Sequence, residues 1–243
     1  MTTASAIRLR PLDVIRAATT AITARGYYQP LSRQWEKEVP TALDVEVLLF
    51  GREPFERGDR VRFTRAATET TPQTLAAILA WAQAGAEGDD YRRRLARVAR
   101  AEYVSTTDIS LLASAVAAWR SSQKRAARAA QATTDAALSR HQGTVGERIT
   151  RTVTVAAVIK QPEKTFGYST QKRYLIKLRD AQGNVYVWPA SPRDPGTLPR
   201  QGATVEVTAT VKRHTTYANP SHGDTPQTYV TRCRWKPTAA PTA

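Results

Sequence analysis

Cations and aromatic side chains alternate along one short segment, residues 172–191, which has the sequence KRYLIKLRDAQGNVYVWPAS. Its two alternating runs flank a turn-forming DAQGN sequence, so the segment is predicted to be a β-hairpin. The outward positions are assigned to Arg173, Lys177, Arg179, Tyr186 and Trp188. Cationic groups neutralise phosphates, and aromatic rings stack on bases at roughly 1–3 kcal/mol each. The pattern predicts a face that binds an anionic, flat ligand. The alternative is a solvated face whose two aromatic rings pack against the rest of the chain.

Two loops near this hairpin repeat the combination of cations and aromatic rings. The first loop precedes the hairpin and carries Lys160, Lys164, Phe166, Tyr168 and Lys172. The second loop, KRHTTYANPSHGDTPQ, carries Lys212, Arg213 and Tyr217. Exposed aromatic rings between cations suit single strands better than duplexes, because unpaired bases are free to stack. In the alternative interpretation, Phe166 and Tyr217 cap the ends of a folded β-domain.

Two basic runs lie nearer the N-terminus, Arg92-Arg93-Arg94 and Lys124-Arg125-Ala-Ala-Arg128. They could contact phosphates, but runs of this kind are typical of a solvated helix face.

The residue types that perform catalysis form no pattern that we associate with an enzyme. The only histidines are His141, His214 and His222, and no second cysteine or paired carboxylate completes a metal-ligand spacing. The sequence contains no GxxxxGK[ST], GxGxxG, GxSxG or HExxH motif. Cys233 lies on a predicted buried strand, which favours a packed core cysteine over a nucleophile. We therefore expect a protein that is not an enzyme and that has no catalytic residue, metal or cofactor.

The net charge points to an anionic partner. The 243 residues include 36 Lys and Arg against 21 Asp and Glu, a formal charge of +15. Residues 139–243 contribute 16 of these cations and 6 of the acids, so they hold about two thirds of the excess. Nucleic acid is the first candidate for such a partner. The sequence has no apolar run of membrane-spanning length and no signal-peptide pattern, and it has one cysteine, so we expect a cytoplasmic protein without a membrane partner.

The elements that would position these residues fall into two parts. Residues 1–138 are predicted to be mainly α-helical, with helices beginning at Pro11, after Thr71, after Asp89 and after a capping box at Ser105. Two short candidate strands, 44–50 and 60–64, interrupt the helices, and residues 121–140 are predicted to form an exposed helical linker.

After residue 143 the hydrophobic period changes from 3.6 to 2. Five predicted strands within residues 143–236, the first unusually long, indicate an α+β protein whose second part is an OB-fold-like β-barrel. An SH3-like barrel and a two-sheet sandwich are the alternatives, and residues 237–243 are predicted to be a disordered tail.

The segments GTVGERITRTVTV, YLIKLRDAQGNVYVW and TVKRH…QTYVTRC resemble an OB-like C-terminal domain of uncharacterised proteins from actinobacterial phages and mobile elements. The resemblance covers about residues 143–235, and the preceding helical segment 89–119 also resembles that family. Pro189 departs from the family pattern, because it should end the third strand or confine it to an edge. The resemblance implies the fold and the handling of nucleic acid.

Together these features predict a nucleic-acid-binding protein, preferably for single-stranded DNA, in replication, recombination or transfer of a phage or plasmid-like element. OB-folds bind oligonucleotides on strands two and three and on the flanking loops, which is where the cations and aromatic residues lie. Two alternatives are a protein-interaction module that binds replication proteins or the chain's own helices, and a terminal protein of a linear replicon whose hydroxyl group primes synthesis.

Overall fold

The computed structural model describes residues 8–29, 38–53, 58–87, 89–166 and 169–238. The chain divides into two compact units, Met1–Arg125 and Ala126–Ala243. Among the described residues, the first unit contains helices, and the second contains five strands and the end of the last helix. The prediction of an α+β protein with a mainly helical N-terminal region is confirmed.

The described residues form six α-helices with the following bounds: α1 (Pro11–Arg25), α2 (Thr41–Phe50), α3 (Asp59–Glu69), α4 (Pro72–Gln83), α5 (Asp90–Arg100) and α6 (Ile109–Leu138). The starts of α1, α4, α5 and α6 follow the sequence signals. The Thr71 hydroxyl accepts a hydrogen bond from the Thr74 amide at 3.2 Å, and the Asp89 carboxylate accepts one from the Arg92 amide at 2.8 Å. Ser105 and Asp108 form the predicted capping box before α6.

The two candidate strands in the first unit were predicted wrongly, because residues 44–50 and 60–64 belong to helices α2 and α3. The alternating pattern of residues 60–64 fits a strand, but Asp59, Phe63 and Ala66 are the buried residues of α3. Their spacing of four and three residues is helical. In α2, Val45 packs into the core shared with α1, so tertiary packing outweighs the strand propensity of its β-branched residues.

One hydrophobic core supports the first unit. It contains Val14 and Ile15 of α1, Ile78 of α4, Leu95 of α5 and Leu112 of α6, all fully buried. The C-terminus of α1 is joined to the starts of α2 and α3 by Arg25, which lies close to Asp44 and Asp59.

Helix α6 belongs to both units, because the boundary between them falls after Arg125. Residues 121–140, predicted to be an exposed linker, are the second half of this 30-residue helix and its C-terminal extension. The prediction of exposure is correct for residues 123–128 but wrong for Asp135 and Ser139, which are buried.

The second unit contains a closed ring of five strands in the order β1-β2-β3-β5-β4. The strands are β1 (Arg148–Phe166), β2 (Ser169–Asp180), β3 (Val185–Ala190), β4 (Thr204–Tyr217) and β5 (Thr225–Pro237). All neighbouring pairs are antiparallel except β3 and β5, which are parallel. The 19-residue β1 pairs with β4 along its first half and with β2 along its second half, so one long strand closes the ring.

Alternate residues of the strands fill the interior of the ring. Val153 and Val155 of β1, Ile176 and Leu178 of β2 and Val207 of β4 belong to this second core. The last residue of β5, Pro237, is the first residue of the predicted disordered tail, and residues 239–243 of that tail lie outside the described residues.

Candidate nucleic-acid interface

The cations on the outer side of β2 lie where the sequence predicts, but the chain's own helix binds two of them. Lys177 Nζ donates to Asp135 Oδ2 at 2.7 Å. Arg179 donates from Nε to Asp135 Oδ1 at 2.8 Å and from Nη2 to Oδ2 at 2.9 Å. The Asp135 side chain is 1% exposed. The predicted binding face therefore serves as the docking surface for the C-terminal end of α6.

The same face of β3 is covered as well. Val185 and Val187 lie opposite Arg179 and Lys177 in the β2–β3 register and are both buried. The Val185 amide donates to the Ser139 hydroxyl at 3.0 Å, and that hydroxyl donates to the carbonyl oxygen of Pro226 at 2.6 Å. The end of α6 is thus hydrogen-bonded to both β3 and β5.

The predicted outward orientation of Tyr186 and Trp188 is wrong. Both lie opposite inward-facing residues of β2, Tyr186 opposite Leu178 and Trp188 opposite Ile176. Tyr186 is 2% exposed inside the ring, and the half-buried Trp188 packs against the same core. The two valines of β3 were expected to face inward because they are apolar. In the structure these two valines are buried outside the ring core, on the side where the end of α6 is hydrogen-bonded, and the aromatic residues pack in the ring core.

The Tyr186 hydroxyl is part of a closed hydrogen-bond network. It donates to Asp180 Oδ2 at 2.9 Å, and Asp180 also accepts from the amides of Gln182 and Asn184 and from the Asn184 side chain. Burial, together with the neighbouring Asp180 carboxylate, raises the pKa of Tyr186 well above its usual range. A phenol in this environment stays protonated, so this network stabilises the β2–β3 turn and does not activate a nucleophile.

Strand β3 passes through Pro189 and ends at Ala190. Pro189 lies opposite Leu175 of β2, whereas β5 pairs only with residues Val185–Val187 of β3. The ring nitrogen of Pro189 therefore lies at a free strand edge, where a missing donor costs little. Pro189 was expected either to end the third strand or to lie at a strand edge, and in the structure it lies at an edge.

The remaining predicted cations lie on two arms that extend beyond the ring. We define the β1–β2 arm as residues 159–175. In this arm β1 pairs with β2 and no longer pairs with β4. Lys160, Lys164, Lys172 and Arg173 are all exposed on it. Lys160 pairs with Glu163 at 3.2 Å. Tyr168 and the side chain of Phe166 lie outside the described residues.

We define the β4–β5 arm as residues 212–226, which precede the part of β5 that pairs with β3. Lys212 and Arg213 are exposed, and Tyr217 is 57% exposed. The Arg213 guanidinium lies 4.5 Å from the centre of the Tyr229 ring. This arm also carries His214, which stacks on His141 with 4.7 Å between ring centres. The expected combination of exposed cations and an exposed aromatic ring is therefore present on this arm.

Asp135 and Ser139 are the residues of this region that the sequence analysis missed. Asp135 lies in an Ala-rich segment that resembles a solvated helix, and its ion-pair partners are 42 and 44 residues away. The one available signal was its position as the sole acid between Arg128 and Arg140.

Within the described ranges, no three His, Cys, Asp or Glu side chains lie close enough together to hold a metal ion. None of the described helices combines the length and the apolar character needed to cross a membrane.

Comparison of this chain with protein-family models, with curated proteins and with solved structures finds no match.

Cys233 is expected to react slowly with thiol reagents in the folded protein. It packs against the interior of the ring, and burial raises the pKa of its thiol to about 12. Little reactive thiolate therefore exists at neutral pH. Labelling with iodoacetamide, followed by mass spectrometry, should be slow in the native protein and fast after denaturation. Equal rates in the two states would show that the thiol is accessible.

Proposed function

We propose that the ring of the second unit is an OB-fold. The strand order, the parallel pairing of β3 with β5, and the long β1 shared between two neighbours support this assignment. Five strands connected in this way form a Greek-key arrangement typical of that fold. The connection from β3 to β4 contains one turn of 3₁₀-helix, Pro195–Thr197, in place of a longer helix.

We further propose that this unit binds nucleic acid, preferably single-stranded DNA, without an enzymatic step. The observation that carries the proposal is the charge of the β1–β2 arm. Among its described residues the arm contains four exposed cations and one carboxylate, Glu163. OB-folds commonly use the loop between strands one and two to bind oligonucleotides. Residues 126–243 as a whole contain 17 Lys and Arg against 7 Asp and Glu, which would attract a polyanion.

The β4–β5 arm supplies the second part of the proposed site. Its exposed Tyr217 offers a face for base stacking, and Lys212 and Arg213 offer charge for phosphates. Lys177 and Arg179, in contrast, already bind Asp135. The proposed site therefore consists of the two arms and not of the outer face of β2 and β3.

We expect replacement of Lys172 and Arg173 by glutamine to weaken binding of single-stranded DNA about tenfold at moderate salt. Each lost phosphate contact should also reduce the slope of log K against log salt by about 0.7. Fluorescence anisotropy of labelled oligo-dT, titrated with the full-length protein at several salt concentrations, measures both quantities.

The matched control is Arg193→Gln with Arg200→Gln, which removes two exposed cations from the same unit outside the arms. Loss of charge alone should affect both double variants equally. The proposal fails if the arm variant binds oligo-dT as well as the control variant, or if the unaltered protein does not bind it at low salt.

The biological process, replication, recombination or transfer of a mobile element, stays a prediction from the sequence resemblance. The alternative of an interaction module receives one supporting observation, since the outer face of β2 and β3 already binds a helix. That helix belongs to the same chain. If oligo-dT does not bind, a protein partner for the arms becomes the better hypothesis.

A further inference from the structure

Helix α5 carries a concentration of arginine in the first unit. Its 11 residues include Arg92, Arg93, Arg94, Arg97 and Arg100. Its buried side consists of Leu95, Ala96 and Ala99. Arg93, Arg97 and Arg100 follow one another at spacings of four and three residues, so they form a row on the side opposite this core. We call these three residues the arginine row; Arg94 lies beside it.

The arginine row is exposed, and its acidic neighbours lie at the two ends of α5. Arg93 pairs with Asp90, one turn earlier in the helix. Arg94, Arg97 and Arg100 form no salt bridge with any described residue. Glu87, Asp89 and Glu102 lie near the two ends of α5 and are all exposed. Arg97 and Arg100 of the row, together with Arg94, therefore offer exposed positive charge to a ligand.

Two further cations lie close to the C-terminal end of α5. An isolated β-bridge joins Leu9 to Val104, four residues after the last residue of the helix. Arg8 and Arg10, on either side of Leu9, are exposed, and the Arg8 guanidinium lies 5.7 Å from the centre of the Tyr103 ring. The bridge therefore adds positive charge near the end of the row.

Arg92 has a different role, because it fixes the start of α5 against α4. Its guanidinium lies 3.6 Å from the centre of the Trp81 ring, and its Nη2 donates to the Trp81 carbonyl oxygen at 2.7 Å. Gly85 leaves room for this group, since a Cβ atom there would lie 2.7 Å from Arg92 Nε. The corner between α4 and α5 is thus held in one arrangement, with the arginine row on its outer side.

We propose that the arginine row of α5 binds double-helical DNA, with the helix in the major groove. Helices α4 and α5 are consecutive and are joined by residues 84–89, which include the 3₁₀ turn Gly85–Glu87. A pair of helices of which the second carries the contact residues is a common duplex-binding arrangement, although its usual turn is three or four residues long. The major groove is about 12 Å wide and accepts an α-helix. Arginine forms paired hydrogen bonds with guanine and also binds phosphates, so both kinds of contact are open to this row. This site lies in the first unit and does not depend on the function proposed for the ring.

The test uses the full-length protein and the double variant Arg97→Gln with Arg100→Gln. Glutamine keeps the helix propensity at these exposed positions, so we expect the fold to persist. We expect duplex binding to weaken about tenfold and its salt slope to fall by about 2. Binding of oligo-dT should stay within about twofold of that of the unaltered protein, because the proposed single-strand site lies on the two arms of the second unit.

The matched control is Lys124→Gln with Arg125→Gln, which removes two exposed charges from α6 in the same unit. The probes are a labelled mixed-sequence duplex, labelled oligo-dT of the same length, and vesicles that contain phosphatidylglycerol. The proposal is overturned if the row variant binds the duplex like the control variant, if both variants lose duplex binding equally, or if only vesicle binding falls. The arm variant Lys172→Gln with Arg173→Gln should lose binding of oligo-dT and keep binding of the duplex. The two variants therefore test the two proposed sites separately.

Discussion

Replacing Arg25 with methionine is expected to lower the free energy of unfolding of the helical unit by about 3–5 kcal/mol. Arg25 Nη1 lies 3.1 Å from Asp44 Oδ1 and 2.9 Å from Asp59 Oδ2. The side chains of Arg25, Asp44 and Asp59 are 13%, 5% and 0% exposed. Methionine would leave two buried carboxylates without their shared cation, and Asp59 would keep only the exposed Arg62, whose Nη1 lies 3.6 Å from Asp59 Oδ1. The cost of leaving a buried charge poorly compensated exceeds that of a lost surface pair.

The position of Arg25 in the fold adds to the expected loss. Arg25 is the last residue of α1, whereas Asp44 and Asp59 lie in the first turns of α2 and α3. A cation at a helix C-terminus and acids at helix N-termini each interact favourably with the helix dipole. Removal of the arginine therefore weakens the junction of three helices at once.

Thermal unfolding followed by far-ultraviolet circular dichroism measures this effect, since the first unit holds most of the helix. Arg16→Met is the matched control, because Arg16 lies on the same helix and its pair with Asp13 is exposed. A triple variant that also carries Asp44→Asn and Asp59→Asn should recover part of the loss by removing the buried charges. If Arg25→Met destabilises no more than Arg16→Met, the buried pair contributes little.

Much of the architecture could be predicted from local sequence signals. The capping residues Thr71, Asp89 and Ser105 mark helix starts correctly, since their hydrogen bonds form within one turn. The change of hydrophobic period after residue 143 marks the beginning of the strands. Helices α2 and α3 were missed because a short apolar run fits a strand or a helix equally well, and only its tertiary partners decide between them.

The orientation of β3 could not be predicted from the sequence. Its residues Val185, Tyr186, Val187 and Trp188 are all apolar or aromatic, so alternation gives no preference for either face. We infer that the choice depends on the end of α6, which docks on this side through Asp135, bound to β2, and Ser139, bound to the Val185 amide. Those contacts join residues more than 40 positions apart, and no local pattern signals them.

Asp135→Asn is expected to release the end of α6 from the ring and to cost about 2–4 kcal/mol. The carboxylate of Asp135 accepts three hydrogen bonds from two cations. Asparagine keeps the shape but loses the charge, so Lys177 and Arg179 would be left partly buried without a counter-ion. We place the loss slightly below the usual range for a buried pair because these two side chains are 29% and 22% exposed and retain some solvation.

This contribution should depend on pH in a defined direction. Burial raises the pKa of Asp135, but hydrogen bonds from Arg179 and Lys177 outweigh that effect, and the pKa lies below its ordinary value. The stabilisation is therefore complete above the pKa of the unfolded chain, about 4, and is lost as the pH falls through the lower folded value. The difference in stability between the unaltered protein and Asp135→Asn should be largest at neutral pH and should shrink below about pH 4.

Hydrogen exchange measured by mass spectrometry resolves this effect locally. Asp135→Asn should increase exchange in peptides from the end of α6 and from β3, where the Val185 amide would lose its hydrogen bond to Ser139. Glu163→Gln removes an acid from a pair on the β1–β2 arm and should leave those peptides unchanged. Arg179→Gln should have a larger effect than Lys177→Gln, because Arg179 binds both carboxylate oxygens whereas Lys177 binds one. Unchanged exchange at β3 in Asp135→Asn would mean that this ion pair does not hold α6 on the ring.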